Sequence, residues 1–512
     1  MLGPVVMAPT LSEGVQGALM VCGTSSGAGK STVVTGLCRL LARRGVAVAP
    51  FKAQNMSNNA AVCADGAEIG RAQYAQALAA GIEPCADLNP VLLKPMSDHR
   101  SQMIVLGTPV GEADAGSYAG EAPELLDTAI EALERLRSRY DVVVVEGAGS
   151  PAELNLLARD VSNLPLAART GIHAVLVADV DRGGMLAAAY GTVALLPTAL
   201  RTRIGGILVN RFRGDLSLLQ PGLSILEARG GVPVLGVLPF LSGAVDGEDS
   251  LDVPASAPPP AESLTVAVVQ TPRLANFTDV DPLRLEPHVA VRFVTRATEL
   301  HGADLVVLGG SRAVTSDLDW LRDTGIADAL VRSDAVVLGI CGGYQMLGEA
   351  IIDETGMEGP PGTSRGLGLL PVITRLEAAK VTRRRRGRAL GCAVNGYEIR
   401  HGVPDRKRGD GWVDLDDEHG HEREGARVGD RVYGTSVHGL FENDAFRGTF
   451  LALVAAARDR AFESGADSFD VARSRFHDSI ADSIEEHVDL DAVAGLIARA
   501  ARVATPHAVG SS

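Results

Sequence analysis

The sequence predicts an α/β protein with two doubly wound, parallel-sheet domains. Short runs of apolar, β-branched residues, such as "DVVVVEGAG" and "HAVLVADV", recur between helical patterns along the 512-residue chain. Such runs are typical of strands buried on both faces of a parallel sheet. A proline-rich stretch, "DVPASAPPPAESL", ends the first series, and a second series follows with "TVAVVQ" and "DLVVLGG". The length also favours more than one domain, since one domain usually takes roughly 100–200 residues.

We therefore predict a first domain at 1–252, a linker at 253–263 and a second domain at 264–512. Apolar positions three and four apart in "FLALVAAARDRAF" and "IEEHVDLDAVAGLIARAARVA" predict amphipathic helices that pack on the second domain. The basic run Arg383 to Arg386 predicts a solvated loop, with a polyanion site as the alternative.

Composition indicates the class of partner and the compartment. The net charge of −15 disfavours binding to nucleic acid or to an anionic membrane. The most apolar segment contains Asp179, Asp181 and Arg182, which argues against a membrane span. The six cysteines form no C-x-x-C pair, and the N-terminus does not have the pattern of a signal peptide, so we expect a reduced, cytoplasmic protein. Composition leaves the oligomeric state open.

The stretch "VCGTSSGAGKSTVVTGLCRLLARRG" predicts a nucleotide site. An apolar strand leads into a glycine-rich turn and then a helix, so free backbone N–H groups and the helix dipole would face phosphate groups. Five residues separate Gly23 from Gly29, one more than in the usual P-loop. A tight turn with a surface lysine is the alternative. The predicted ATP-binding residues of this stretch are Thr24, Ser26, Gly27, Gly29, Lys30, which would contact the β- and γ-phosphates, and Ser31, which would reach Mg²⁺.

The longer loop resembles that of dethiobiotin synthetase and its relatives, which are P-loop NTPase-like ATP enzymes. This resemblance implies further roles for residues that follow in order. "FKAQN" supplies Lys52 as a second phosphate-facing lysine, and "LVNRF" supplies Asn210 as an adenine contact. "VVVVEGAGSP" and "AEIGRAQ" supply Glu146 and Glu68 as ligands of Mg²⁺.

A second motif, "AVVLGICGGYQMLG", predicts a nucleophilic cysteine. Small residues around Cys341 allow a strained turn between a strand and a helix, and a helix N-terminus with a nearby imidazole favours the thiolate. His438 in "TSVHGLFEN" is the predicted base. Backbone N–H groups of Gly309, Gly310 and Gly342 are predicted to bind an oxyanion.

The order of this cysteine and histidine resembles a class I glutamine amidotransferase domain, whose fold is flavodoxin-like. The resemblance implies hydrolysis of glutamine through a γ-glutamyl thioester, with release of ammonia. The family's usual glutamate two residues after the histidine is replaced here by Leu440, and Glu442 is the nearest carboxylate. A Cys–His pair would then act with a different group orienting the imidazole.

Together, the two domains resemble the corrinoid amidotransferases, on motifs that include "FKAQNMSNNA", "GAEIGRAQ", "NPVLLKP" and "NGYEIRHG". The resemblance implies ATP- and glutamine-dependent amidation of the b, d, e and g carboxylates of adenosylcobyrinic acid a,c-diamide, with ATP and Mg²⁺ bound in the first domain. As a hypothesis, the segment "QNMSNN" lies beside the phosphates and helps to bind the corrinoid through Gln54, Asn55, Asn58 and Asn59. The alternatives are a synthase of the a,c-diamide itself, an amidotransferase for another acid such as a cell-wall precursor, and a ParA-like regulatory ATPase.

Overall fold

The computed structural model describes residues 11, 14–241, 263–358, 361–407, 411–465 and 467–500. The strands before residue 241 are β1 (Gly17–Gly23), β2 (Val48–Phe51), β3 (Gln54–Met56), β4 (Ala60–Val62), β5 (Glu68–Gly70), β6 (Val91–Pro95), β7 (Ser101–Val105), β8 (Thr108–Ala113), β9 (Val142–Glu146), β10 (His173–Asp179), β11 (Ile204–Phe212) and β12 (Val234–Pro239). The helices of this part are α1 (Lys30–Arg43), α2 (Arg71–Ala80), α3 (Ala115–Arg139), α4 (Leu164–Thr170), α5 (Met185–Leu195), α6 (Thr198–Arg201) and α7 (Leu216–Gly230).

The strands after residue 263 are β13 (Leu264–Val269), β14 (Leu274–Ala275), β15 (Val289–Val294), β16 (Leu305–Leu308), β17 (Gly310–Ser311), β18 (Val336–Ile340), β19 (Ala350–Asp353), β20 (Gly362–Arg365), β21 (Val372–Ala389), β22 (Cys392–Arg406), β23 (Val413–Asp417), β24 (Gly420–Glu424), β25 (Ala426–Val428) and β26 (Val432–Thr435). The helices of this part are α8 (Val314–Asp323), α9 (Ile326–Arg332), α10 (Gly342–Leu347), α11 (Asp444–Ala457), α12 (Phe469–His487) and α13 (Leu490–Ala498). Short 3₁₀ helices are formed by Ala86–Leu88, Leu157–Arg159, Phe277–Leu285, Ala297–Leu300 and Leu440–Glu442.

The first large sheet has six parallel strands in the order β12-β11-β10-β1-β9-β2. Strand β9 is buried along its whole length, which explains its run of four valines before Glu146. Because the carboxyl ends of parallel strands meet at one edge, the turn after β1 opens beside Glu146, and Asn210 of β11 lies toward the same edge.

The second large sheet has the order β15-β13-β16-β18-β26-β25, and only the β25–β26 pair is antiparallel. Strand β18 ends immediately before Cys341, and the neighbouring strand β26 ends three residues before His438. The sheet therefore brings both residues to one edge. The predicted fold class, α/β with two parallel-sheet units, is confirmed.

A third, mainly antiparallel sheet is built around the long β21–β22 hairpin. The arginine run lies inside β21, so the prediction of a solvated loop at Arg383 to Arg386 was wrong. The side chain of Arg385 is only 1% exposed, and it donates to Asp417 at 2.8 Å and to Glu398 at 3.0 Å. Carboxylates on the adjoining strands compensate this buried charge, which a scan of one segment could not reveal.

The C-terminal helices divide between the two units. Helix α11 packs on the second sheet through residues such as Phe450, as predicted. The same prediction was wrong for α12 and α13, which pack on the first unit. Gly36 of α1 makes room for α12, since a Cβ there would lie 2.5 Å from Ile480 Cγ2. Arg39 of α1 also pairs with Asp478 of α12 at 2.8 Å.

Most of the predicted linker, up to residue 262, lies outside the described residues, so the boundaries at 252 and 264 stay predictions. Within the described part of the chain, no helix has the length and apolar character needed to cross a membrane.

The two units are joined by hydrogen bonds. The side chain of Asn276 pairs with the backbone of Ala60, accepting from its N–H at 3.1 Å and donating to its carbonyl at 3.2 Å. The N–H of Phe277 donates to Asn59 Oδ1 at 3.2 Å. All three bonds are buried, so the segment after β3 and the 3₁₀ helix Phe277–Leu285 hold a fixed relative position.

Candidate functional site

The turn between β1 and α1 is an open site for an anion. Ser25 and Ser26 are exposed, and the chain enters α1 through Gly29, whose φ of 96° favours glycine. Among the described residues, no side chain caps this helix, and its first turn holds no acidic residue. The first turn of a helix has N–H groups without intrahelical acceptors, and this is where proteins commonly bind a phosphate group.

Lys30 is folded back over this turn. Its Nζ donates to the carbonyl of Ser25 at 3.0 Å and to the carbonyl of Gly149 at 3.1 Å. The ammonium therefore lies between the loop and the segment after β9, where it can compensate negative charge bound in the loop.

Glu146 is the centre of a polar cluster beside the turn. Its Oε1 accepts from Ser31 Oγ and from Lys52 Nζ, each at 2.9 Å, and its Oε2 accepts from Gln76 Nε2 at 2.5 Å. Of the three predicted Mg²⁺ ligands, the fold thus brings Ser31 and Glu146 together, and the predicted phosphate lysine Lys52 contacts the same oxygen of Glu146.

The third predicted ligand, Glu68, has other partners. Its two carboxylate oxygens accept from Lys94 at 2.7 Å and from Lys380 at 2.5 Å. Burial raises the pKa of Glu68, but the charges of both lysines and their hydrogen bonds lower it to about 2. Because both oxygens are engaged by ammonium groups, Glu68 could bind a metal ion only after these ion pairs were broken.

Asn210 contacts the phosphate loop. Its Nδ2 donates to the carbonyl of Ala28 at 3.0 Å, and a Cβ at Gly29 would lie 1.9 Å from the same nitrogen. This contact orders the loop, and the predicted contact of Asn210 with adenine stays a prediction.

The four residues predicted to bind the corrinoid diverge in their contacts. Gln54 accepts from a tyrosine hydroxyl of α3, Asn55 donates to a glutamine of α2, and Asn59 joins the two units as described above. The Oδ1 of Asn58 is buried and has no hydrogen-bond partner among the described residues. Among the four, Asn58 is the residue with a buried side-chain acceptor that no described group satisfies.

Cys341 occupies a strained turn. Its φ of 52° and ψ of −105° are unusual for a residue with a side chain, and they place it between β18 and α10. Glycines make the turn possible. A Cβ at Gly342 would lie 2.6 Å from the nitrogen of Ser311, and one at Gly343 would lie 2.0 Å from the carbonyl oxygen of Leu308. This is the strained turn predicted for a nucleophile at a helix start, and the cysteine is 7% exposed.

Cys341 and His438 line one cavity together with Gly310. A Cβ at Gly310 would lie 3.2 Å from His438 Cε1, so this glycine lets the backbone approach the imidazole. The other two predicted oxyanion residues do not line the cavity, and Gly309 instead accepts a backbone hydrogen bond from the residue after Gly342, at 2.9 Å.

Asp279 is the carboxylate that orients His438. The imidazole Nδ1 donates to Asp279 Oδ2 at 2.7 Å, and the N–H of Gly439 donates to Oδ1 at 2.9 Å. Burial lowers the pKa of His438, but the charges of Asp279 and Cys341, and hydrogen bonds to both, raise it to about 10. This environment favours the imidazolium form of His438 beside Cys341, and Tyr397 stacks on the ring with centroids 5.3 Å apart.

Asp279 was not predicted from the sequence, because 159 residues separate it from the histidine. It lies on the 3₁₀ helix after β14, where no motif marks it. Glu442, the nearest carboxylate in sequence, pairs instead with Arg71 of the first unit at 2.6 Å.

The first unit also contributes to the cavity beside Cys341, through Lys94 of β6. Its side chain is 2% exposed, and it is held by the ion pair with Glu68. The motif "NPVLLKP" contained this lysine, but a lysine in an apolar strand gave no signal that it would reach the other unit.

Comparison with known protein families identifies both parts of the chain. Residues 19–250 match the model of the CobQ/CobB/MinD/ParA nucleotide binding domain. Residues 265–446 match the model of the CobB/CobQ-like glutamine amidotransferase domain. The first range contains the phosphate loop and Glu146, and the second contains Cys341, Asp279 and His438.

Curated relatives match along nearly the whole chain. The cobyric acid synthase of Saccharopolyspora erythraea is 49% identical, covering 96% of this chain and 96% of the relative. The cobyric acid synthase of Streptomyces coelicolor is 49% identical, covering 94% of this chain and 97% of the relative. That of Cutibacterium acnes is 46% identical, covering 94% of this chain and 99% of the relative.

Proposed function

This chain belongs to the cobyric acid synthase family, and on that basis we propose that it amidates the b, d, e and g carboxylates of adenosylcobyrinic acid a,c-diamide with ATP and glutamine. The observation that carries the proposal is the presence of a phosphate loop and a Cys–His–Asp site in one chain that matches these relatives over nearly its full length. A regulatory ATPase of the ParA type has no use for a nucleophilic thiol.

The first unit activates the carboxylate. Ammonia cannot displace oxide from a carboxylate, so transfer of the γ-phosphoryl group of ATP must first give an acyl phosphate, whose leaving group is phosphate. Lys30 and Lys52 would compensate charge on the transferred group, and their contacts with the loop and with Glu146 support this role. Lys52 would then exchange part of its present contact with Glu146 for the nucleotide.

The residues of this cluster also suit Mg²⁺. Ser31 Oγ and Glu146 Oε1 are hard oxygen donors that lie 2.9 Å apart at the start of α1, and Mg²⁺ is usually held by one or two such protein ligands together with phosphate oxygens. When bound, the ion would supply positive charge that stabilises the phosphoryl group during transfer.

The second unit supplies ammonia. The thiolate of Cys341 attacks the side-chain amide carbon of glutamine, and the imidazolium of His438 protonates the departing nitrogen, so that ammonia leaves and a γ-glutamyl thioester remains. A water molecule, deprotonated by the now neutral imidazole, cleaves the thioester to glutamate and the free thiol. Asp279 holds the imidazole in the orientation that both steps need. The N–H of Gly310 is the proposed oxyanion donor that lies at the cavity.

The ammonia then attacks the acyl phosphate, and phosphate leaves as the amide forms. Gln54, Asn55, Asn58 and Asn59 stay the proposed corrinoid-binding set, among which the unused buried acceptor favours Asn58.

The test is an amidation assay with adenosylcobyrinic acid a,c-diamide, ATP and Mg²⁺, read by mass spectrometry. Each amidation exchanges one hydroxyl for one amino group, so four successive products are expected from the wild-type protein. Cys341→Ala should lose activity with glutamine and keep it with ammonium, whereas Lys30→Met should lose both. Cys392→Ala, which removes a thiol on the β21–β22 hairpin, is the matched control.

An unchanged substrate mass together with ATP turnover would refute the proposal. Amidation of cobyrinic acid instead of the a,c-diamide would indicate an a,c-diamide synthase.

A further inference from the structure

The cavity beside Cys341 contains charged residues that the thiol chemistry does not use. Its lining includes four cationic or titratable nitrogen side chains besides His438, those of Lys94, Arg312, Arg400 and His401, and a single carboxylate, that of Glu358. The partners of these groups decide which of them are available to a substrate.

Three of the four nitrogen side chains are already compensated or neutral. Lys94 pairs with Glu68 at 2.7 Å, and Arg400 pairs with Glu398 at 3.0 Å. Burial, together with nearby positive charges, lowers the pKa of His401 to about 4, so its ring is neutral at physiological pH.

Arg312 is the remaining cation. It is 9% exposed, and its Nε has no hydrogen-bond partner among the described residues. Within that part of the chain no carboxylate forms an ion pair with it, although its positive charge lowers the pKa of His401 and of Glu358. A buried guanidinium without a carboxylate is costly, so an anionic ligand at this position is expected.

Glu358 is the one carboxylate among the residues that line the cavity. Its Oε2 accepts from the N–H of Val314 at 2.6 Å, at the start of α8 and two residues after Arg312. Burial raises the pKa of Glu358 to about 7, against the lowering effect of Arg312. The carboxylate is therefore near Arg312 but not bonded to it, and a cationic ligand would stabilise its charged form.

A free amino acid carries both complementary charges on one carbon atom. We propose that Arg312 binds the α-carboxylate of glutamine and that Glu358 binds its α-ammonium group, so that the cavity accepts free glutamine with its side-chain amide at Cys341. A planar guanidinium suits a carboxylate, which it can bind through two parallel hydrogen bonds. This inference rests on the proposed glutamine-dependent function and assigns its substrate specificity to two residues.

The test pairs each variant with a substrate that lacks the corresponding charge. Glutaminase activity of the full chain is measured with L-glutamine, with 5-amino-5-oxopentanoate, which lacks the ammonium group, and with L-glutamine α-amide, which lacks the carboxylate. Glu358→Gln should lower kcat/KM for L-glutamine roughly 10- to 100-fold, as expected for a lost hydrogen bond to a charged group, mainly through KM. Its kcat/KM for 5-amino-5-oxopentanoate should equal that of the wild type.

Arg312→Gln should show the reciprocal pattern. It should lower kcat/KM for L-glutamine and leave the value for L-glutamine α-amide unchanged, whereas Arg312→Lys should recover part of the loss. Arg322→Gln removes a partly exposed arginine from α8 and serves as the control for loss of a positive charge in this unit. Alkylation of Cys341 by iodoacetamide at the wild-type rate shows that the turn is intact in each variant.

If either variant loses the same factor with L-glutamine and with the matching analogue, its residue does not bind that group and the inference is overturned. If the wild-type protein hydrolyses glutamine but does not amidate the corrinoid, the proposed acceptor is wrong, and the pairing of variants with analogues still decides the roles of Arg312 and Glu358.

Discussion

Replacing Asp279 with asparagine removes the charge that faces His438 while keeping the shape of the side chain. At present Oδ2 accepts from the imidazole at 2.7 Å, and Oδ1 accepts from the N–H of Gly439 at 2.9 Å. An amide has one acceptor oxygen, so it cannot replace both bonds, and it carries no charge to stabilise an imidazolium.

The size of the effect follows from the bond that is lost. A hydrogen bond to a charged group contributes about 1.5–3 kcal/mol. Since about 1.4 kcal/mol corresponds to a factor of ten in rate, we expect kcat for glutamine-dependent amidation to fall roughly 10- to 100-fold. KM for glutamine should change less, because Asp279 does not line the cavity.

The pH dependence should shift as well. The pKa of His438 is raised to about 10, with the charge of Asp279 among its causes. The stabilisation by the charged imidazole is therefore complete below its ordinary pKa of about 6.5 and is lost as the pH rises through the raised value. The imidazolium protonates the departing nitrogen, so glutamine-dependent activity should decline on the alkaline side, and Asp279→Asn should move this decline to lower pH.

The assay compares glutamine with ammonium as nitrogen source across the pH range. Asp281→Asn is the matched control, because Asp281 lies on the same 3₁₀ helix and its side chain pairs with Arg284 at 3.8 Å. A normal kcat in Asp279→Asn, or an equal loss with both nitrogen sources, would refute the positioning role.

Two further predictions concern stability. Arg385→Met should lower the free energy of unfolding by about 3–5 kcal/mol, because the substitution leaves Glu398 buried beside fewer compensating charges. Arg386→Met is the control, because Arg386 is exposed on the same strand, and it should change the free energy of unfolding by less than about 0.5 kcal/mol. The check is urea unfolding of both variants, and equal midpoints would contradict the ion-pair account. Gly36→Ala should destabilise the contact of α1 with α12 by about 1–3 kcal/mol, since the new Cβ would overlap an isoleucine of α12. The expected result is faster amide hydrogen exchange in α12, and unchanged exchange would contradict the packing. Gly495→Ala in α13 is the control, because a Cβ at this position meets nothing within 4 Å.

The sequence by itself determined the fold class and the local parts of each site. Apolar runs predicted the parallel strands because strands buried on both faces have no polar alternation. The loop before Lys30 and the turn at Cys341 were recognisable because each depends on neighbouring residues, in which glycines permit one backbone geometry. The family resemblance inferred from these motifs is confirmed by the curated relatives.

Only the tertiary structure decided which groups meet across long separations in the chain. Asp279 reaches His438, Glu68 pairs with two lysines, and helices α12 and α13 pack on the first unit, and none of these contacts leaves a pattern within one segment. The arginine run shows the physical reason. The burial of a charge depends on carboxylates supplied by other strands, so the same run is a solvated loop without them and a buried strand with them.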